Sequence, residues 1–216
     1  MISHSFVFGP TELTALPSGA LYWQAQHLLC VSDLHLGKSE RLARRGGALL
    51  PPYETRATLE KLESAIETTG ARRIVCLGDS FDDLAAVDGL DETDRLWLLR
   101  LMAGREWVWI EGNHDAGPTD IGGTHLAELT LANVVFRHIS TGMGTEISGH
   151  YHPKAQLAGR SRPCFLYDEC RLILPAFGAY TGGLWAHDPA FGKMMSPRAR
   201  AILTGQRCVV IPMPRR

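Results

Sequence analysis

A chain of 216 residues, 45% hydrophobic and 21% charged, can bury a full core and fits one domain spanning residues 1–216. Its formal net charge of −1 excludes the overall basic balance of a general nucleic-acid binder, so any polyanion would have to be held locally. No segment approaches the ~18 uninterrupted apolar residues of a membrane span, and Met1-Ile2-Ser3-His4-Ser5 lead into no sustained apolar run, so a cytoplasmic protein with no membrane association is expected.

In chain order, the first buried element is Leu28-Leu29-Cys30-Val31, an apolar run that ends in a polar loop carrying Asp33 and His35. Between the breakers Pro51-Pro52 and Gly70, the spacing of Leu59, Leu62 and Ile66 predicts a helix. A second apolar run, Ile74-Val75-Cys76-Leu77, delivers Gly78-Asp79. Asp91, Glu92 and Asp94 then put acids at the positive end of a predicted helix whose apolar positions are Leu96, Leu99 and Met102 and which Gly104 closes. A third run, Trp107-Val108-Trp109-Ile110, leads into Gly112-Asn113-His114-Asp115.

Runs of this length suit strands covered on both faces, and their alternation with helices predicts a parallel sheet whose ligands lie beyond the carboxyl ends of the strands. After about residue 120 short runs separated by glycine-rich turns predict mostly strand: Val134-Val135-Phe136, Cys164-Phe165-Leu166-Tyr167, Arg171-Leu172-Ile173-Leu174 and Cys208-Val209-Val210-Ile211. The two halves are expected to form one α/β sandwich, sheet against sheet with helices outside. The five cysteines, Cys30, Cys76, Cys164, Cys170 and Cys208, are odd in number and lack C-x-x-C spacing, which argues against a disulfide framework and a thiolate zinc site.

Each of the three strand ends thus offers carboxylate, imidazole or amide, and His138, His150 and His152 follow later. Such a mixed oxygen and nitrogen set suits manganese, iron or zinc better than calcium, and is too rich in imidazole for a dedicated magnesium site. Seven candidates, Asp33, His35, Asp79, Asn113, His138, His150 and His152, exceed the needs of one ion but serve two if a carboxylate is shared, with Asp79 the natural bridge.

In order, these blocks resemble the signature of the calcineurin-like metallophosphoesterases: D-x-H, then G-D, then G-N-H and an acid, then a lone H after a strand, then G-H-x-H. The resemblance implies a β-sandwich of two mixed sheets flanked by helices and two divalent ions, manganese first, iron or zinc next. It implies that Asp33, His35, Asp79 and His152 hold one metal, that Asp79, Asn113, His138 and His150 hold the other, and that His114 protonates the leaving oxygen, a general-acid role open to imidazole. Over nearly the whole chain the texture is similar to the DNA ligase-associated metallophosphoesterases, in Ser32-Asp33-Leu34-His35-Leu36-Gly37-Lys38, Gly149-His150-Tyr151-His152-Pro153-Lys154 and Leu174-Pro175-Ala176-Phe177-Gly178-Ala179-Tyr180-Thr181-Gly182-Gly183. One departure is Ile139-Ser140 after His138, where that family more often has an acid and a proline.

The likeness implies hydrolysis of a phosphodiester by metal-activated water, on nucleic-acid ends or nucleotide-like diesters in a DNA-repair setting, beside a DNA ligase, nuclease or helicase. A phosphomonoesterase or nucleotide pyrophosphatase on a small molecule is the alternative, because the same metal core serves all three; a non-catalytic scaffold ranks behind both, because Asp79, Asn113, His114 and His152 are all present. Asp82, three residues past Asp79, is either an acid that orients the catalytic histidine or a solvated loop charge; Asp115 either orients His114 or caps the next turn. Lys38, Arg41, Arg44 and Arg45 read as a solvated helix face before they read as a phosphate guide, and Arg160, Arg162, Arg215 and Arg216 add charge of unknown direction. Tyr180 and Trp185, beside Thr181-Gly182-Gly183, are read as core packing in preference to base stacking.

Overall fold

The computed structural model describes residues 2–39, 41, 53–83, 86–87, 89–117 and 120–215; Arg44, Arg45, Pro51, Pro52 and Arg216 lie outside the described residues. Among the described residues the strands form two mixed sheets. In the first, an antiparallel meander of β1 (His4–Phe8), β2 (Thr11–Ala15) and β3 (Leu21–Trp23) pairs with β4 (Leu28–Ser32). From β4 the sheet continues in parallel through β5 (Arg73–Leu77), β6 (Glu106–Ile110) and β7 (Thr124–Leu126), with α1 (Glu54–Thr69) and α2 (Glu92–Met102) as crossovers. The second sheet runs in the order β15 (Val209–Pro212), β14 (Arg200–Leu203), β12 (Arg160–Tyr167), β13 (Arg171–Ile173), β10 (Glu146–Ser148), β9 (Val134–Arg137), β8 (Glu128–Leu131). A further strand, β11 (Lys154–Leu157), hairpins onto β12, and a short α3 (Pro189–Met194) covers the outer face.

Period-two alternation in continuous apolar runs explains the layers. Val75, Leu77, Val108 and Ile110 point between the sheets and meet Phe136, Ile147, Phe165 and Leu172. Their neighbours Ile74, Cys76, Trp107 and Trp109 point the other way, onto Leu59, Leu62 and Ile66 of α1 and Leu98 and Leu101 of α2. Each such fully buried side chain contributes about 1.5–3 kcal/mol. Burial also pushes the Cys30 and Cys76 thiols well above their ordinary value, which keeps both as neutral core groups.

The expected helices are present, and α1 ends on Gly70 in the left-handed conformation (φ 60). Helix α2 corrects the expected face. Leu96 and Leu99 are exposed, at 59% and 37%, whereas Leu98 and Leu101 are buried. The inward row is Asp94, Leu98 and Leu101, and its first member is buried because Nε–H of Arg56 on α1 donates to Oδ1 at 3.0 Å. A paired carboxylate in the buried row, beside the apolar cluster Leu96-Trp97-Leu98-Leu99, disguises which side faces inward.

Candidate metal centre

The loops that leave β4, β5, β6, β9 and β10 converge at one end of the sandwich, stitched by main-chain hydrogen bonds. The N–H groups of Asp33, His35 and Asp82 donate to the carbonyls of Gly78, Asp79 and Leu36 at 3.3, 2.9 and 3.0 Å, and that of Gly149 to His138 at 3.0 Å. The turns are tight enough that Asp33, His35, Asp79, His150 and His152 take positive φ, from 44 to 70°. For residues other than glycine this costs about 1–3 kcal/mol each and persists where the surrounding structure enforces it. Two glycines permit the close approach: a Cβ on Gly112 would lie 2.1 Å from the Asp79 nitrogen, and one on Gly149 would lie 1.7 Å from Ser32 Oγ.

The imidazoles arrive with one ring nitrogen already committed. Nδ1 of His35 faces Asp82 Oδ1 at 3.0 Å, Nδ1 of His138 faces the Leu77 carbonyl at 3.1 Å, and Nδ1 of His152 faces the Gly182 carbonyl at 3.3 Å. Oxygen acceptors at those positions orient the rings so that Nε2 turns inward, as in metal-binding histidines; that of His138 faces Asn113 Oδ1 at 3.0 Å and Asp79 Oδ2 at 3.4 Å. Among the described residues three groups have their ligand atoms within 4.8 Å of one another: Asp33 with His35 and His152, Asp79 with His138 and His150, and His35 with Asp82 and His114, the last being Asp82 and the two histidines that it orients. Asn113 joins the second group, its Oδ1 3.0 Å from His138 Nε2. Most informative is the contact between Asp33 Oδ1 and His152 Nε2. Both atoms are buried, 3.1 Å apart, with no hydrogen bond to any partner. A cation answers such a pair, whether a proton on Nε2 or a metal ion, and the carboxylate, imidazole and amide groups gathered around it are a donor set that fits divalent metal.

Electrostatics agree. Burial opposes ionisation of Asp79, yet the hydrogen bonds and charges of His138 and His114 hold its carboxyl far below the usual range. Burial likewise opposes protonation of His138, but Asp79 and Asp33 push its pKa up. Cationic charge is thus favoured where the carboxylates meet.

Of the two readings offered for Asp82, the solvated one is overturned: the residue is buried, at 2% exposure. Its carboxylate holds His35 and accepts from Nε–H of Arg41, while its main-chain carbonyl holds Nδ1 of His114 at 3.0 Å. Arg41 is therefore engaged at the site and not part of a solvated helix face. Asp115 takes neither expected role. Its Oδ1 accepts from the Gly112 N–H at 3.0 Å and its Oδ2 from Ser80 and Phe81 at 2.8 and 3.1 Å, which staples the loop after β6 to the loop after β5. Burial pushes the Asp115 carboxyl up despite those bonds.

Ser32, whose hydroxyl donates to Asp33 Oδ2, had no role assigned from sequence, and neither did the carbonyls of Leu77 and Gly182. Tyr180 and Trp185 are exposed, at 58% and 36%, which corrects the packing assignment: they belong to a loop at the rim and not to an element with a buried face. A cavity of about 250 Å³ adjoins His152 beside that loop. Another of about 280 Å³, near Leu16, Lys61 and Thr68, is lined by none of the predicted ligands.

A family model described as calcineurin-like phosphoesterase matches residues 27–191, a span that includes every predicted ligand from Asp33 to His152. Among solved structures, Pseudomonas putida nuclease MPE is similar with a TM-score of 0.77 and 27% identity, over 97% of this chain and 100% of that one. Yfce, a phosphoesterase from E. coli, matches at a TM-score of 0.42 and 11% identity, over 87% of this chain and 99% of that one. No curated protein gives a significant match.

Proposed function

Because the chain belongs to the calcineurin-like phosphoesterase family, we propose that it hydrolyses phosphodiesters with two divalent cations, manganese first among them. Asp33, His35, Asp79 and His152 would hold one, and Asp79, Asn113, His138 and His150 the other. The observation that carries this reading is the convergence of Asp33, His35 and His152, and of Asp79, His138 and His150, into adjoining ligand groups. When bound, such a metal pair supplies the Lewis acidity that activates water and neutralises phosphate charge.

The protein's own part is positioning and proton delivery. His114 donates its backbone N–H to Asp79 Oδ1 at 2.9 Å, and its Nδ1 is held by the Asp82 carbonyl, so Nε2 is left to carry a proton to the leaving oxygen. Asp82 keeps the His35 ring in the orientation that exposes Nε2. Nucleic-acid ends or nucleotide-like diesters are the proposed substrates. Support comes from the solved nuclease at 27% identity and from the sequence likeness to the ligase-associated group. Among the described residues no helix is long and apolar enough to cross a membrane. From the sequence likeness to the ligase-associated group we further propose a cytoplasmic, DNA-repair setting beside a ligase, nuclease or helicase.

Protein reconstituted with manganese and assayed on bis-p-nitrophenyl phosphate and p-nitrophenyl phosphate tests the reading. Two bound metals and faster turnover of the diester are expected. A preference for the monoester overturns the substrate class, and a stoichiometry below two overturns the shared-carboxylate site. Co-purification with a DNA ligase no better than with a control protein removes the proposed partner.

A further inference from the structure

The cavity beside His152 has three differently equipped walls. His152 forms one, Thr181 and Gly182 form the second, and Lys154, Ser161 and Pro163 of the β11–β12 hairpin form the third. Lys154 pairs directly with Pro163 across that hairpin, and Gln156 with Ser161, so these four share a face; Arg160 and Arg162 alternate onto the other. Among the described lining residues, Lys154 is the lysine or arginine that reaches the cleft.

The loop that supplies Thr181 and Gly182 to the cleft wall also carries Tyr180 and Trp185, 58% and 36% exposed, which flank the cleft and do not line it. Rings of this size normally gain by burial, and here Tyr180 is more than half exposed while Trp185 keeps about a third of its surface open, which leaves apolar ring area beside the cleft. Neither is loosely held. Lys154 Nζ lies 4.9 Å from the Trp185 ring centroid, and His187 stacks on that ring at 6.0 Å and 9°. The Lys154 N–H donates to the Leu184 carbonyl and the Ala186 N–H to the Lys154 carbonyl, at 2.9 and 2.8 Å. Tyr180 takes φ 56, a conformation that strains a bulky residue, and its carbonyl accepts from Lys38 Nζ at 3.3 Å. The same loop orients His152 through the Gly182 carbonyl, so whatever rests on it is registered to the metal ligands.

We propose that this cleft is a nucleotide subsite of the phosphodiester site, in which Lys154 faces a phosphate next to the scissile one and the rings of Tyr180 and Trp185 supply the stacking surface for a base. Ser161 offers a hydroxyl to the sugar, and Thr181, whose Oγ1–H donates to the Gly178 carbonyl at 3.0 Å, offers an acceptor. A preorganised aromatic surface beside a cation is what a base and its phosphate require, and stacking tolerates any base. The subsite rests on the phosphodiesterase reading and adds to it that the nucleoside, and not only the phosphate, is recognised.

Three diesters that share the p-nitrophenolate leaving group separate the two ideas: methyl p-nitrophenyl phosphate and the p-nitrophenyl phosphate diesters of thymidine at its 5′ or 3′ oxygen. With manganese-loaded protein, kcat/KM for at least one thymidine diester should exceed that for the methyl diester by about fivefold or more. That preference should shrink by about fivefold or more in Tyr180→Ala or Trp185→Ala. Tyr180→Gly, which removes the ring and relieves the left-handed backbone, keeps the test valid should Trp185→Ala disturb the fold. A smaller wild-type preference, or one that survives in all these variants, overturns the subsite and leaves the phosphodiesterase standing. Turnover of p-nitrophenyl phosphate with none of the three diesters overturns the phosphodiesterase reading itself, and the subsite with it.

Discussion

Replacing Asp82 by asparagine separates two functions that meet in one residue. The carboxylate is buried, with Oδ1 on His35 Nδ1 at 3.0 Å and Oδ2 on Arg41, while the main-chain carbonyl holds His114. Asparagine leaves that carbonyl, and therefore His114, in place, but removes the negative charge behind His35 and opposite Arg41. A carboxylate behind a metal-binding imidazole is typically worth about 10- to 100-fold in metal affinity, or ~1.4–2.8 kcal/mol. Leaving Arg41 unpaired adds a stability loss of about 1–3 kcal/mol, below that of a fully buried pair because the guanidinium side chain is 18% exposed. Turnover of bis-p-nitrophenyl phosphate, titrated with manganese, should show a half-saturation raised by about 10- to 100-fold and a rate that recovers as manganese increases. A collapse of kcat at saturating manganese, with half-saturation unmoved, would refute the reasoning, because it would mean that Asp82 acts through His114 and not through His35.

Three further perturbations probe other layers. His114→Ala should keep both metals by mass spectrometry and lose about 10²- to 10⁴-fold in rate on a dialkyl diester, with a smaller loss on a nitrophenyl diester, whose leaving group needs little protonation; equal losses on both would remove the general-acid role. Gly149→Ala places a Cβ 1.7 Å from Ser32 Oγ and 2.6 Å from Asp33 Oδ2, so the Asp33 loop must shift; metal stoichiometry and Tm should both fall, and wild-type values for both would show that the approach is not as close as described. Lys61 donates Nζ–H to the Phe177 carbonyl at 2.8 Å, and burial lowers its pKa from 10.5 to about 8. Below pH 8 it is charged in folded and unfolded chains, and the folded one bears the cost of burying that charge. Between pH 8 and 10.5 the unfolded chain binds the extra proton, so Lys61's contribution to stability should rise with pH by about 3 kcal/mol. Urea unfolding of wild type and Lys61→Met at pH 7.5 and 10 reads this as a shift of the difference in favour of the wild type at the higher pH; a constant difference refutes it.

How far such a molecule can be read from its sequence depends on which atoms carry the information. Asp33, His35, Asp79 and Asn113 were legible because each follows a run of residues buried on both faces, and a parallel sheet sends the ends of β4, β5 and β6 to one edge. His138 and His150 were legible only through motif order, since the strands that bring them, β9 and β10, are short and pair in parallel without a helix signal between them. The row of α2 that faces inward was misread because Asp94 sits in it, and Asp94 can be buried only because Arg56 of another helix reaches it. That pairing is tertiary, and no periodicity within α2 could announce it.

The orientation of the ligands was illegible for a deeper reason. Leu77, Gly182 and Asp82 hold His138, His152 and His114 through main-chain carbonyls, groups that every residue possesses and no side-chain pattern distinguishes. The left-handed turns at Asp33, His35, Asp79, His150 and His152 are hidden likewise, because glycine is the residue that favours such backbone and glycine is absent at all five. Glycine there would remove the strain and the ligand together. A carboxylate or imidazole kept there costs about 1–3 kcal/mol per position, which the hydrogen bonds and packing of the surrounding loops must offset and to which a ligand bound by the folded state would add RT ln(1 + [L]/Kd). Left-handed backbone alone does not mark a ligand, since among the described residues His27, Ala132, Asn133, Ala158 and Tyr180 adopt it as well; what sets Asp33, His35, Asp79, His150 and His152 apart is that their side chains converge.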